Sequence, residues 1–290
     1  MALKDYIKLT RAEHSLMLAI AVVAAELITA GKLPSWPIFI IALIPPILIG
    51  MASFSINDYF DVKVDKKNGK LKRPLVSGAI LPKAAFNLSI ALFVIGVAFS
   101  ALINIYAFII SVIFAVLAFF YSYRLKETLL IGNIYIAFAM AIPFIYGNYI
   151  MSTSMNLNIL LITLVILLSG VAREIHGMIR DKIGDIKERH SKNLVYYIGG
   201  RMSAVVASAL YVSAVAISIA MFWIKKPFYM NIVYLIPILC VDITLMYVSA
   251  VYLKERISEN EFTNTRNISL IAMSAAILIY LIAAVFQVYV

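Results

Sequence analysis

Nine apolar runs dominate this chain and leave it few ways to fold. They cover about Ala12–Thr29, Trp36–Ile56, Pro82–Ile103, Tyr106–Tyr123, Leu129–Ile150, Ile159–Ala172, Met202–Trp223, Tyr229–Tyr252 and Ile268–Tyr289. A helix needs about 20 apolar residues to cross the hydrocarbon core of a bilayer. Most of the runs approach that length, and they are continuous where a transmembrane barrel would alternate. Pro45, Pro46, Pro143 and Pro237 fall inside runs, where proline kinks a membrane helix more often than it ends one. The expected fold is all-α: a polytopic membrane protein, a bundle of nine transmembrane helices. Composition agrees. Of 290 residues, 63% are apolar and 14% charged, against about 45–50% and 25% in soluble domains. That excludes a soluble enzyme, a disordered chain and a nucleic-acid-binding domain, despite a net charge of +10. The single cysteine, Cys240, lies inside a run, so no disulfide within the chain is available. The first run lacks a small-residue cleavage site and reads as a helix, not a removable leader.

Nine spans place the loops alternately on two sides. Of the 25 basic residues, 22 fall on the side of the N-terminus and only Lys32, Lys225 and Lys226 on the other. Basic residues mark the cytoplasmic side. The expected topology is a multi-pass protein of the cell membrane, N-terminus cytoplasmic and C-terminus outside. Acidic residues contribute little to that rule, so their placement is separate information. Thirteen of the fifteen share the cytoplasmic side, while Glu26 and Asp242 lie within spans.

Two acidic clusters stand out. The first closes the second run as Asn57-Asp58-Tyr59-Phe60-Asp61-Val62-Lys63-Val64-Asp65. If the helix continues, Asn57, Asp61 and Asp65 form one stripe of oxygen donors. Like charges at this spacing repel, so a cation should compensate them. Such donors suit Mg²⁺, which binds one or two carboxylates together with waters and substrate phosphates. The second cluster closes the sixth run, where Asp181 and Asp185 repeat the spacing and Glu174 and His176 precede them, with Arg173, Arg180 and Lys182 alongside. Two such stripes can hold two Mg²⁺ ions and a pyrophosphate between them. Arg and Lys are the usual partners of its remaining oxygens. Arg73 in Lys72-Arg73-Pro74, and Arg124 and Lys126 after Tyr121-Ser122-Tyr123, are candidates for that role beside Arg180. Surface attachment to anionic lipid is the competing reading for these cations.

This combination resembles the UbiA superfamily of intramembrane prenyltransferases. The resemblance rests on the Asn57-Asp58-x-x-Asp61-x-x-x-Asp65 box, Arg73-Pro74-x-x-Ser77-Gly78, the Tyr121-to-Lys126 segment and Asp181-x-x-x-Asp185, and it covers almost the whole chain. It implies one transmembrane unit over residues 1–290 around a central cavity open to the cytoplasm. Segments at about 57–83, 121–128 and 173–201 would cap that cavity. Asn57, Asp61, Asp65, Asp181 and Asp185 would hold Mg²⁺. Arg73, Arg124, Lys126 and Arg180 would bind diphosphate, with Asp58, Tyr121, Tyr123, Glu174 and His176 as additional site residues. Within the superfamily, the Asn-Asp-Tyr-Phe-Asp box and the Arg173-Glu174-Ile175 lead-in look most like an archaeal ether-lipid branch. There a geranylgeranyl group moves from its diphosphate to the free hydroxyl of geranylgeranylglyceryl phosphate. The chain departs from that branch at Met178, often an acid, and in a Tyr121–Lys126 spacing one residue longer. Prenylation of an aromatic acceptor such as 4-hydroxybenzoate is the alternative acceptor chemistry.

Aromatics near the cytoplasmic ends, Tyr59, Phe60, Phe119 and Tyr123, are candidates to steady an allylic cation. Arg11 could hold an acceptor's anionic group, and His14 or His176 could take its proton. The expected partners are a prenyl diphosphate, a membrane-soluble acceptor and the bilayer, with no nucleic acid and no obligate protein partner. A secondary transporter is the competing class. It would use intramembrane acids such as Glu26 and Asp242 near the midplane, whereas most acids here sit at helix ends.

Overall fold

The computed structural model describes residues 3–127, 131–188, 194–255 and 257–289, with the side chains among them except those of 127, 181–188, 288 and 289. The described residues form ten helices and no strand. In chain order these are α1 (Leu3–Thr10), α2 (Ala12–Ala30), α3 (Trp36–Lys67), α4 (Pro82–Ala101), α5 (Ile105–Tyr123), α6 (Ile131–Met151), α7 (Leu157–Glu188), α8 (Leu194–Ala220), α9 (Ile232–Tyr252) and α10 (Glu259–Tyr289). Nine of them, α2 to α10, are long and apolar enough to cross a membrane. The all-helical polytopic fold expected from the apolar runs is the fold observed.

Local chemistry sets the helix ends. Asn104 caps α5 by accepting the Ala107 backbone N–H at 2.8 Å, and Asn231 does the same for α9 through Tyr234. Such a side chain satisfies one of the orphan donors of the first turn. Pro82 opens α4 at a position where no N–H is needed. Pro45 and Pro46 lie inside α3, Pro143 inside α6 and Pro237 inside α9, and each helix continues past them. Arg11 separates α1 from α2 with φ of 46°, a left-handed conformation that is uncommon outside glycine. Gly199, with φ of 78° and ψ of 163°, breaks α8 near its start.

Two packing centres share α6. Small residues let the backbones approach, as is usual between membrane helices. Ala21, Ala24 and Ala25 of α2 are at most 1% exposed. A Cβ on Gly147 of α6 would sit 2.7 Å from the Ala25 Cβ and 2.7 Å from the Val22 carbonyl oxygen. Gly170 of α7 meets Ala137 of α6 in the same way at 2.8 Å. One centre gathers α2, α6, α7, α8, α9 and α10 around Phe144, Tyr211, Tyr234 and Tyr280. The other joins α3, α4, α5 and α6 around Ile49, Phe93 and Phe114. Large apolar side chains such as Trp36, Val94, Ile113, Val212, Ile243 and Ile271 face outward. A soluble monomer rarely exposes apolar surface so widely, and a bilayer turns that surface into its solvent contact.

The two acids inside the spans differ. Asp242 accepts a hydrogen bond from the Ser218 hydroxyl at 2.7 Å. Glu26 is fully buried, and neither of its carboxyl oxygens has a partner among the described residues.

Candidate active site

The end of α3 carries the first acidic box, because the helix runs on past the apolar segment to Lys67. At about 100° per residue the box does not stay on one face. Asn57 and Asp61 point to one side. Asp58 and Asp65, seven residues apart and so within about 20° of each other, point to another. The structure places these two pairs in different surroundings.

Asp58 and Asp65 are 4% and 2% exposed, and cations hold them. The Arg73 Nη1 donates to Asp58 Oδ1 at 2.9 Å and also reaches Asp65 Oδ2. Arg11 Nη2 donates to the same Asp58 oxygen at 3.2 Å, and Lys70 pairs with Asp65 at 3.1 Å. Arg11 also covers the Phe54 ring at 4.9 Å. Buried carboxylates need such compensation. This cluster ties the segment after α3 and the α1–α2 break to the helix.

Asn57 and Asp61 instead line a pocket of about 370 Å³. Its other walls come from Tyr121 of α5, Lys126 of the short turn Leu125–Glu127, and Asn133 and Ile136 of α6. Helix α7 adds Arg173, Glu174, His176, Gly177, Met178 and Arg180, α9 adds Val248 and Tyr252, and α10 adds Thr265, Arg266 and Ser269. The Lys126 Nζ donates to Asp61 Oδ1 at 2.5 Å. Gly132 at the start of α6 seats that turn, since a Cβ there would lie 3.0 Å from both the Leu125 carbonyl oxygen and the Lys126 Cα. His176 is 3% exposed and stacks flat on Tyr252, with ring centroids 3.7 Å apart and planes 1° apart. Its two nitrogens have no partner among the described residues, and neither does the buried Arg173 Nε.

The pocket therefore unites Asn57, Asp61, Tyr121, Lys126, Glu174, His176 and Arg180. Asp58, Asp65, Arg73 and Arg11 form the separate ion cluster. Arg124 and His14 are exposed and line neither, His14 contacting Glu13 at 3.4 Å. The side chains of Asp181 and Asp185, like His190, lie outside the described residues. Among the described residues no three His, Cys, Asp or Glu side chains group as a metal site. Phe60 packs against Tyr59, Phe119 and Tyr123. None of those four rings lines the pocket; Tyr121 and Tyr252 do. Sequence reading missed Asn133, Tyr252, Thr265, Arg266 and Ser269. They are spread over three helices, α6, α9 and α10, and only the packing of those helices gathers them.

The geometry is that of two oxygen donors, Asn57 and Asp61, among the cations Lys126, Arg173, Arg180 and Arg266 in a mostly polar pocket, and comparison with known proteins gives it a lineage. The model of the UbiA prenyltransferase family matches residues 17–271. Digeranylgeranylglyceryl phosphate synthase of Archaeoglobus fulgidus is 35% identical over 276 residues, covering 94% of each chain. The enzyme of the same name from Sulfurisphaera tokodaii is 33% identical over 86% of this chain and 87% of its own. A solved structure described as digeranylgeranylglyceryl phosphate synthase in membranes superposes with a TM-score of 0.80 at 29% identity, covering 98% of this chain and 99% of that one. A UbiA homologue from Archaeoglobus fulgidus, solved with geranyl diphosphate and Mg²⁺, shares the fold at a TM-score of 0.65 and 19% identity over 95% of this chain and 99% of its own. This chain is a prenyltransferase of the UbiA family.

Proposed function

We propose that the chain transfers a geranylgeranyl group from its diphosphate to the free hydroxyl of geranylgeranylglyceryl phosphate, with Mg²⁺. The observation that carries this reading is the pocket. Asn57 and Asp61 line it together with Arg173, Arg180 and Lys126. The acceptor follows from the enzymes of that activity that resemble this chain over most of its length.

The donor set suits a hard cation. Asn57 and Asp61 offer oxygen atoms on one pocket wall, and Mg²⁺ needs few protein ligands because waters and substrate phosphates complete its shell. Asp61 and Asn57 would hold one ion, with Asp181 and Asp185 as the matching donors on α7. The metal supplies charge stabilisation for the departing pyrophosphate. Lys126 leaves Asp61 for the diphosphate, a cation exchanging one anion for another. Arg180 meets the same group from α7, and fixed donors of this kind stabilise the leaving group as its charge grows. The allylic C–O bond breaks with its electron pair going to pyrophosphate. The acceptor oxygen then bonds to the allylic carbon and gives up its proton. His176 belongs to the pocket wall, its ring nitrogens buried and without a partner among the described residues, and is our choice to accept it once the acceptor displaces its cover. Arg73 acts at one remove, as the strut that fixes the end of α3. In the membrane the pocket faces the cytoplasm.

The test uses membranes carrying Asp61→Asn or Lys126→Ala, assayed for Mg²⁺-dependent pyrophosphate release from geranylgeranyl diphosphate with each acceptor in turn. Loss of a preorganised donor typically costs 10²–10³-fold in rate, and about 100-fold or more is expected for each variant. Wild-type activity in Asp61→Asn would overturn the metal assignment. Turnover with 4-hydroxybenzoate but not with the glycerophosphate ether would overturn the acceptor.

A further inference from the structure

One cation on the pocket wall has no counter-charge. Arg266 sits in the third turn of α10, exposed and lining the pocket beside Thr265 and Ser269. Its guanidinium makes no hydrogen bond or ion pair with any described residue. The sequence offers it no helical partner either, since positions three and four residues away on both sides are Phe262, Thr263, Ser269 and Leu270. The acid five residues earlier on α10 is engaged elsewhere. Glu261 binds Lys254 at 2.7 Å and the Ser258 backbone and hydroxyl at 2.8 and 2.9 Å. On the same pocket Arg173 reaches Glu174 through Nη1 at 3.5 Å, and its buried Nε has no partner among the described residues. Four cations beside the acidic box of α3, by contrast, are paired: Lys126 with Asp61, Arg11 with Asp58, Lys70 with Asp65, and Arg73 with both Asp58 and Asp65.

We infer that Arg266, with Arg173 lining the same pocket, is the anion subsite that binds the phosphate monoester of the acceptor. This rests on the acceptor proposed above and adds where its headgroup sits. The two substrates bring two anions into one pocket, and they differ in what they need. The diphosphate goes to the wall that carries metal-type oxygen donors. No acid stands three or four residues from Arg266 on α10, so that wall favours a phosphate bound without a metal. A guanidinium presents a planar fork of donors that matches two phosphate oxygens at once. Anchoring the phosphate on α10 leaves the glycerol hydroxyl, a few bonds away, free to point toward the centre of the pocket and His176.

The experiment compares wild type, Arg266→Gln and Arg266→Lys in phosphate-free detergent micelles and, in parallel, in bilayers of anionic lipid. KM is measured for geranylgeranyl diphosphate, for the phosphorylated glycerol ether and for the same ether without its phosphate. A charge-assisted hydrogen-bonded contact is worth about tenfold to a hundredfold in binding. Arg266→Gln should raise KM for the phosphorylated acceptor by that factor and leave KM for the diphosphate within about twofold. The wild-type preference for the phosphorylated over the dephosphorylated ether should collapse in the same variant, and Arg266→Lys should recover part of it. A rise in diphosphate KM instead would place Arg266 in the donor clamp and overturn the inference. So would an unchanged acceptor KM, or an effect seen only in bilayers of anionic lipid, which marks a headgroup anchor. No turnover of the phosphorylated ether by the wild-type protein would remove the proposed function and this inference together. Wild-type turnover with an unaffected Arg266→Gln would remove the inference alone.

Discussion

Arg73 holds together more of the site than any other single side chain. One of its nitrogens serves both Asp58 and Asp65, whose side chains are only 5% and 3% exposed. Removing it leaves two buried carboxylates on one helix face with Arg11 and Lys70 as their remaining compensation. Deleting one partner of a buried ion pair costs about 3–5 kcal/mol. Arg73 is itself 26% exposed, so solvent screening brings the expected loss to the lower end, about 3 kcal/mol. Arg73→Met should lower the unfolding temperature in detergent by several degrees. Adding Asp58→Asn should then recover part of the loss, because the orphaned charge goes with it. Strictly additive losses in the two variants would show that the three groups do not act together. The acids of this cluster were legible in the sequence as acids. Their division was not. A stripe written as Asn57, Asp61 and Asp65 treats the helix as repeating every four residues, and at 3.6 it drifts about 40° each time. Which face Arg73 would reach depended on how residues 68–81 fold back, and no local pattern encodes that. Arg266 was hidden for a different reason: counted with the other basic residues, it served only to mark a side of the membrane.

Hydropathy located the helices and misjudged their ends, and the misjudged ends are where the chemistry lies. Apolar character reports which solvent a residue meets, while the helix continues as long as its backbone bonds do. So the run ending near Ile56 belongs to a helix that continues to Lys67, and the one ending near Ala172 to a helix that continues to Glu188. Much of what reads as loop at 57–83 and 173–201 is helix extending beyond the apolar runs. Helix contacts inside the membrane are set by small residues that hydropathy weighs lightly. Gly147 lets α6 lie against α2, and its substitution is a direct test of that contact. Gly147→Val must displace Ala25 and the Val22 carbonyl. Overpacking of this kind costs about 1–3 kcal/mol. Gly177 of α7 has nothing within 4 Å of where its Cβ would stand. There Gly→Ala should gain up to about 1 kcal/mol from helix propensity. Thermal unfolding of both variants in one detergent should therefore move in opposite directions. An unchanged midpoint for Gly147→Val would mean that α2 and α6 do not touch as described.

At the scale of the whole molecule, one asymmetry organises everything else. The oxygen donors of α3, the turn carrying Lys126 and the start of α10 line one pocket, and in the sequence they belong to the side of the spans that carries 22 of the 25 basic residues. Basic residues favour the cytoplasmic side, so the proposed orientation turns the pocket toward the compartment that its own charges favour. A water-soluble headgroup can then enter from one side while its apolar chain stays among helices already surrounded by lipid. This makes topology a test of the function. Cys240 is the sole cysteine and lies exposed on the apolar surface of α9, so a Cys240→Ala background carries no thiol. In that background, Lys32→Cys reports the short connection between α2 and α3, and Lys70→Cys reports the segment beside the ion cluster. A membrane-impermeant maleimide added to intact cells should label the first and spare the second. Permeabilised cells should show both. The reverse pattern would place the pocket outside the cell, with its cations where positive charge is normally excluded. A diphosphate supplied from the cytoplasm could not reach it there, and the proposed reaction would fail on geometry before any residue was changed.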